Sequence, residues 1–139
     1  MSKQCRFFPI IGCAGLLLAL STGLSEAQIN PFDGTYAPVS STKLSQTSVT
    51  RGGDLGVCPD AMPGPLTISQ GQVSYVGATG RQLVGTVTPE GQLSIRVMEA
   101  RDSTPFEMDV NGTIDTAGTV HARQRGRSCS YDLVWRKQG

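Results

Sequence analysis

The sequence contains few of the residues on which most catalytic and metal centres depend. Among its 139 residues are one histidine and one tryptophan, and aromatic residues make up only 6%. Metal centres commonly need several His or Cys ligands, and a Ser-His-Asp triad needs a positioned histidine base. Neither a Gly-x-Ser-x-Gly sequence nor a Gly-rich phosphate loop is present. We therefore expect no catalytic residues, no metal and no cofactor.

Three side chains could still take part in acid–base chemistry. His121 could act as a base, and Glu107 and Asp109 lie two positions apart on one face of a predicted strand. The alternation of the strands places these side chains on a solvated face, where charged residues are ordinary. We interpret all three as surface residues without a catalytic role.

The chain has one long apolar run, and it lies at the N-terminus. Lys3 and Arg6 precede an uncharged apolar segment at residues 7–20, and Ser25-Glu26-Ala27 supplies the small residues that a signal peptidase requires. This pattern predicts a secretory signal peptide over residues 1–27. The apolar segment is shorter than the about 20 residues that span a bilayer. Cleavage would also remove it, so we expect no membrane span in the mature chain. An uncleaved membrane anchor is the alternative.

The predicted mature chain is short and electrically balanced. Removing residues 1–27 leaves 112 of the 139 residues, a length typical of one domain. The basic residues fall from 12 to 10 and the acidic residues from 11 to 10, so the net charge is near zero. A neutral chain lacks the positive surface that attracts nucleic acid and anionic membranes. We expect a monomer that binds no nucleic acid.

Four cysteines are present, and two of them belong to the signal peptide. Cys5 and Cys13 leave with it, while Cys58 and Cys129 remain. An even pair in an exported chain predicts a disulfide, and closing so long a loop stabilises a fold by roughly 4 kcal/mol in the chain-entropy model. Metal binding and redox catalysis are the alternatives, but no Cys-x-x-Cys sequence supports them.

Residues 66–97 alternate between apolar and polar side chains, with a glycine-containing turn after every few residues. This pattern is typical of an antiparallel β-meander, and it continues to residue 136. No stretch of useful length shows the 3.6-residue period of a helix. Because an open sheet would leave its edges unpaired, we predict an all-β fold, an antiparallel meander that closes into a small up-and-down β-barrel of about eight strands. A β-sandwich is the alternative.

The residues before the meander are less regular. Residues 34–41 predict a first strand. Pro38 lies inside it, so this strand is either at an edge or kinked there. Residues 42–50 predict a weaker second strand. Prolines and a glycine exclude a helix and a central strand from residues 57–65, which we call the proline loop. We expect Cys58 to anchor this loop to the barrel.

The large side chains that could line the barrel interior are aromatic: Tyr75, Phe106, Tyr131 and Trp135. A barrel of about eight strands is either filled by its own side chains or just wide enough for one small ligand. Because many small residues accompany these four, the sequence does not decide between a filled and a hollow interior.

Basic residues are densest near the C-terminus. Arg123 and Arg125 should point outward on one strand, with Arg136 on the neighbouring strand. We interpret these three as a candidate patch for an anionic partner, such as a polysaccharide, a phospholipid headgroup or an acidic protein surface. A solvated face that discourages strand-edge pairing is the alternative.

Short motifs spread over the mature chain carry a family resemblance: Phe32-Asp33-Gly34-Thr35-Tyr36, Cys58, Gly71-Gln72-Val73-Ser74-Tyr75, Gly85-Thr86-Val87 followed by Gly91, and Cys129 with Trp135. In these motifs the chain resembles a group of small secreted domains of alphaproteobacteria to which no activity is assigned. The resemblance implies a β-rich, disulfide-linked domain in a Gram-negative periplasm, and it carries over no catalytic residues. The proline loop is longer here than in that group.

These observations lead to an expected class of function. We expect a periplasmic or secreted, non-enzymatic β domain that binds a macromolecule, a protein or another component of the cell envelope. An inhibitor of a periplasmic protease or lysozyme is the first alternative, and it requires a rigid protruding segment. A carrier of a small apolar ligand is the second, and it requires a closed apolar cavity.

Overall fold

The computed structural model describes residues 29–45, 47–49, 55–60, 62–77, 80–101, 104–126 and 129–139, with the side chains of all but 47–49, 55, 99–101 and 104–107. The predicted signal peptide, residues 1–27, and the side chain of Phe106 lie outside this description. The described residues form ten strands and no helix: β1 Gly34–Lys43, β2 Thr47–Val49, β3 Leu55–Val57, β4 Leu66–Ser69, β5 Gln72–Val76, β6 Gln82–Val87, β7 Gln92–Arg101, β8 Thr104–Ile114, β9 Thr119–Arg125 and β10 Ser130–Lys137.

Eight of these strands form a closed antiparallel barrel. Strands β4 to β10 pair in chain order, and β1 closes the ring by pairing with β10 on one side and β4 on the other. The remaining two, β2 and β3, pair with each other in a separate two-stranded sheet. The predicted up-and-down barrel is therefore confirmed, and the sandwich is not formed.

The strands before the meander differ in detail from the prediction. Strand β1 extends to Lys43, and within the weak second strand the structure describes β2, which lies outside the barrel. The pairing of β1 with β4 stops at Tyr36, and the register with β10 shifts between Pro38 and Ser40. Pro38 has no N–H to donate to a ladder. It lies where β1 pairs with β10 alone and where the register shifts, so both the predicted edge position and the predicted irregularity are found there. Val57 lies in β3, so the irregular segment begins one residue later than predicted.

Two glycines allow close approach between strands. In the turn between β6 and β7, Gly91 has a φ of 83°, and a β-carbon there would lie 2.6 Å from the carbonyl oxygen of Ile114. Within β6, a β-carbon on Gly85 would overlap the carbonyl oxygen of Ser94 on β7. Both positions therefore require glycine, the first for its backbone conformation as well as for space.

Where side chains are described, they pack the barrel interior. Inward-facing residues of all eight strands are buried, together with Cys58, in one cluster: Tyr36, Leu66, Ile68, Val73, Tyr75, Leu83, Val87, Leu93, Ile95, Val110, Ile114, Val120, Ala122, Tyr131, Leu133 and Trp135. Three of the four aromatic residues assigned to the interior from sequence are in this cluster. Trp135 is fully buried and meets Tyr75 edge to face, with ring centroids 5.1 Å apart.

The polar atoms of two interior aromatic residues bind the proline loop. The Tyr131 hydroxyl donates to the carbonyl oxygen of Pro59 at 3.0 Å, and Nε1 of Trp135 donates to that of Gly64 at 3.0 Å. The indole and phenol would otherwise each bury an unpaired donor, which is costly. The proline loop is thus packed against the barrel by the core itself.

A disulfide fixes the start of the same loop. Cys58 and Cys129 are bonded, with Cα atoms 5.7 Å apart, and Cys58 is fully buried. Lys43 then donates from Nζ to the carbonyl oxygen of Cys58 at 3.2 Å and lies 3.0 Å from the Asp60 carboxylate. The predicted disulfide is confirmed, and it ties the loop to the residue directly before β10.

Residues 29–33 are hydrogen-bonded to the end of β6 and to the turn between β4 and β5. Asn30 is buried, its Nδ2 donates to the carbonyl oxygen of Val87 at 3.1 Å, and its Oδ1 accepts from the Phe32 amide at 3.0 Å. The Asp33 carboxylate accepts from the amide of Gln70 in the turn after β4 at 2.9 Å. These bonds tie the first described residues, which follow the predicted cleavage site closely, to the barrel.

Candidate functional site

A depression of about 440 Å³ lies on the outer face of β8, β9 and β10. It is lined by charged, polar and small apolar residues: Asp109, Asn111, His121, Ala122, Arg123, Arg125, Asp132, Leu133 and Val134. The buried interior lies behind these strands, so this is a surface site. We call it the outer-face site.

The antiparallel register brings the polar residues of this site side by side. Asp109 pairs with Arg125 and Asn111 with Arg123 across β8 and β9. Arg123 also pairs with Asp132 across β9 and β10. Because side chains alternate between the faces of a strand, residues two apart on β9 share the outer face with their cross-strand neighbours. Sequence positions more than 20 residues apart thereby meet in one row.

Arg123 and Asp132 form a two-point ion pair at the centre of the site. Nε of Arg123 donates to Oδ1 of Asp132 at 2.8 Å, and Nη2 donates to Oδ2 at 3.1 Å. The hydrogen bonds from Arg123 lower the pKa of Asp132, and those same bonds raise the pKa of Arg123. Both side chains are about half exposed, at 50% and 42%, so the pair orients Arg123 more than it stabilises the fold.

Asn111 orients the second carboxylate of the site. Its Nδ2 donates to Oδ2 of Asp109 at 2.7 Å, and its Oδ1 accepts from the Ser94 hydroxyl at 3.2 Å. These bonds turn the Asp109 carboxylate toward Asn111. Asp109 forms no ion pair with its cross-strand neighbour Arg125 in the described part of the chain.

Two donors of the outer-face site are open. Within the described residues, neither the Arg125 guanidinium nor the His121 imidazole has a side-chain hydrogen bond or ion pair. Among the described residues, His121 also has no serine or carboxylate partner of the kind that a catalytic triad requires. Arg125 therefore presents five N–H donors to whatever occupies the depression.

The three arginines assigned to a patch from sequence do not lie together. Arg123 and Arg125 line the outer-face site, whereas Arg136 pairs with Thr119 and Ala37 and is not among its lining residues. Arg136 is on the same face of β10 as Asp132, but four residues of strand, about 13 Å, separate them. The site is also not cationic, because Asp109 and Asp132 balance Arg123 and Arg125.

Sequence reasoning did not include Asn111, Asp132 and Val134 in the site. The signal for the last two was present, since they alternate with the inward-facing Tyr131, Leu133 and Trp135. Only the register between strands shows that they lie beside Arg123 and His121.

Comparisons with known proteins do not identify the chain: no family model, curated protein or solved structure matches it. The described residues contain no group of three His, Cys, Asp or Glu side chains that could hold a metal ion. No helix among them is long and apolar enough to cross a membrane.

Proposed function

We propose that this chain is an exported, non-enzymatic domain that binds a macromolecule of the cell envelope at the outer-face site. The observation that carries the proposal is the pair of open donors, Arg125 and His121, beside an Arg123 side chain already held in place by Asp132. A preoriented group loses little conformational entropy when a partner binds it.

Two features support export. The disulfide between Cys58 and Cys129 is typical of chains that fold in an oxidising compartment. The N-terminal charge and apolar pattern of residues 1–27 is that of a signal peptide. The resemblance to secreted alphaproteobacterial domains points to the same compartment, the periplasm or the cell exterior.

The alternative functions fit the structure less well. A carrier needs an apolar cavity, but the described interior is packed with side chains around Trp135. An inhibitor needs a rigid segment that protrudes, and the bonds at Cys58, Pro59 and Gly64 make the proline loop rigid but draw it onto the barrel. The carrier remains an outcome that the following experiment separates.

A site-specific cross-linking experiment tests the proposal. A photoreactive amino acid replaces Thr113 of β8, which pairs with His121 of β9. In a control chain it replaces Thr86, an exposed residue of β6. After irradiation of the cells that make the protein, we expect a defined adduct at position 113 that is absent at position 86 and reduced by Arg125→Glu.

The opposite results are equally informative. Equal labelling at both positions, or labelling at 113 that Arg125→Glu leaves unchanged, would contradict a specific outer-face site. A mass increase of a few hundred daltons in native mass spectrometry, with no adduct at position 113, would replace the proposal with the carrier.

A further inference from the structure

We propose that the outer-face site binds an extended, carboxylate-bearing peptide segment of a partner protein, with Arg125 and Arg123 as the donors. This inference rests on the proposed function and names the chemistry of its partner. It follows from the spacing of the donors, from the hydrogen bonds they have left, and from the balance of charge around them.

The spacing of the donors matches an extended chain. Arg125, Arg123 and His121 occupy alternate positions of β9, all on the outer face. Alternate residues of a strand lie about 6.6 Å apart, and an extended peptide presents its own side chains at the same interval. A peptide lying along β9 can therefore place successive same-side residues opposite successive donors.

The donors left over suit carboxylates. Arg123 donates its Nε–H and one Nη2–H to the Asp132 carboxylate. Three further N–H donors are left on a guanidinium that is already oriented. Among the described residues, none accepts a hydrogen bond from the Arg125 guanidinium, so all five of its N–H groups are left. Guanidinium and carboxylate groups form parallel, charge-assisted hydrogen bonds, so a Glu or Asp side chain is the natural partner for Arg125.

The other residues of the outer-face site indicate which kind of carboxylate-bearing partner it favours. Asp109 and Asp132 cancel the charge of the two arginines, so the site has no long-range attraction for a polyanion. A carboxylate must approach closely, in register, to gain from Arg125. Val134 is the cross-strand neighbour of His121 and provides an apolar contact at one end of the row. These features favour a peptide with carboxylates at fixed intervals over a uniformly charged polymer.

Titration of the isotopically labelled, oxidised mature protein tests the inference. The probe is acetyl-(Ser-Glu)₃-amide, whose carboxylates recur at every second residue, and the neutral control peptide carries Gln in place of Glu. We expect the Glu peptide to shift the amide signals of β8, β9 and β10 and the Nε–H signals of Arg123 and Arg125. The Gln peptide should leave these signals unchanged.

The variants assign the effect to the site. Arg125→Gln removes a charged hydrogen-bond donor and should weaken the binding of the Glu peptide about tenfold or more. Arg136→Gln removes an exposed arginine from the same sheet face outside the depression and should leave binding unchanged. Equal weakening by both variants would reduce the effect to net charge and overturn the inference.

Further outcomes separate this inference from the proposed function. Tighter binding of an oligogalacturonate than of the Glu peptide would overturn the peptide and assign the site to an acidic saccharide. No shift with any probe would also overturn it. In either case, a specific adduct at position 113 in cells would leave the proposed function standing.

Discussion

The inner and outer faces of β8, β9 and β10 show two different uses of the same strands. On the inner face the Tyr131 phenol and the Trp135 indole are buried, and each donates a hydrogen bond to a carbonyl oxygen. Gln124 of β9 accepts a third such bond, from the Tyr75 phenol of β5. On the outer face Arg123 and Asp132 pair in solvent, and Arg125 has no partner among the described residues. One face thus has its hydrogen bonds completed within the chain, whereas the other retains capacity for a second molecule.

This difference has an energetic consequence. Burial of apolar surface and completed buried hydrogen bonds dominate stability, while exposed ion pairs contribute little. Substitutions on the inner face should therefore destabilise the fold, and substitutions on the outer face should change binding without destabilising it. The following predictions test this division, in order of decreasing effect on stability.

The largest loss should follow removal of the disulfide. The double variant Cys58→Ala, Cys129→Ala frees a loop whose ends are 71 residues apart, and we expect the free energy of unfolding to fall by roughly 4 kcal/mol. Urea denaturation monitored by Trp135 fluorescence measures this. The reduced wild-type protein should show the same loss, and an unchanged midpoint in both would mean that the core alone holds the proline loop.

A smaller effect concerns a tyrosine of the core. Tyr75 is 2% exposed, its hydroxyl donates to Oε1 of Gln124 at 2.9 Å, and burial raises its pKa well above 10. The folded state therefore keeps this phenol protonated where the unfolded chain ionises. Stability from this group is complete below pH 10 and declines above it, by up to about 1.4 kcal/mol per pH unit.

Tyr75→Phe should flatten that decline. We also expect it to lower the free energy of unfolding at neutral pH by about 1 kcal/mol, because one hydrogen bond is lost. Urea denaturation at neutral pH and at several pH values above 10 measures both effects. Burial also raises the pKa of Tyr36 and Tyr131, so part of the alkaline slope should persist. An identical slope in the variant would show that Tyr75 ionises as readily folded as unfolded.

The smallest effect on stability should come from the outer face. Arg123→Gln and Asp132→Asn each break an ion pair that is about half exposed, and the urea midpoint should stay within experimental error at neutral pH. Binding of the Glu peptide should nevertheless weaken in the Arg123→Gln variant, since one of the two proposed guanidinium donors is lost. A midpoint shift as large as that of the disulfide variant would contradict the division between the two faces.

The sequence predicts most of the barrel and only part of its outer-face site. The alternation in residues 66–97 indicates the strands because one face of each must be buried. Pro38 indicates an irregularity in β1, which the register shift beside it bears out. By contrast, alternation says which face a residue occupies without saying which residue lies opposite. Arg136 could therefore be grouped with Arg123 and Arg125, although the register of β10 separates them.

By itself, the sequence determined the fold class and the disulfide. Alternating apolar residues must be buried on one side, glycine-containing turns reverse the chain, and Cys58 and Cys129 are the only cysteines left to pair in the predicted mature chain. The tertiary structure decided that the described interior is packed, because only the arrangement of the strands shows whether Trp135 and its neighbours meet in one cluster. It also decided which charges meet, because cross-strand neighbours are set by register, and register joins residues far apart in the chain.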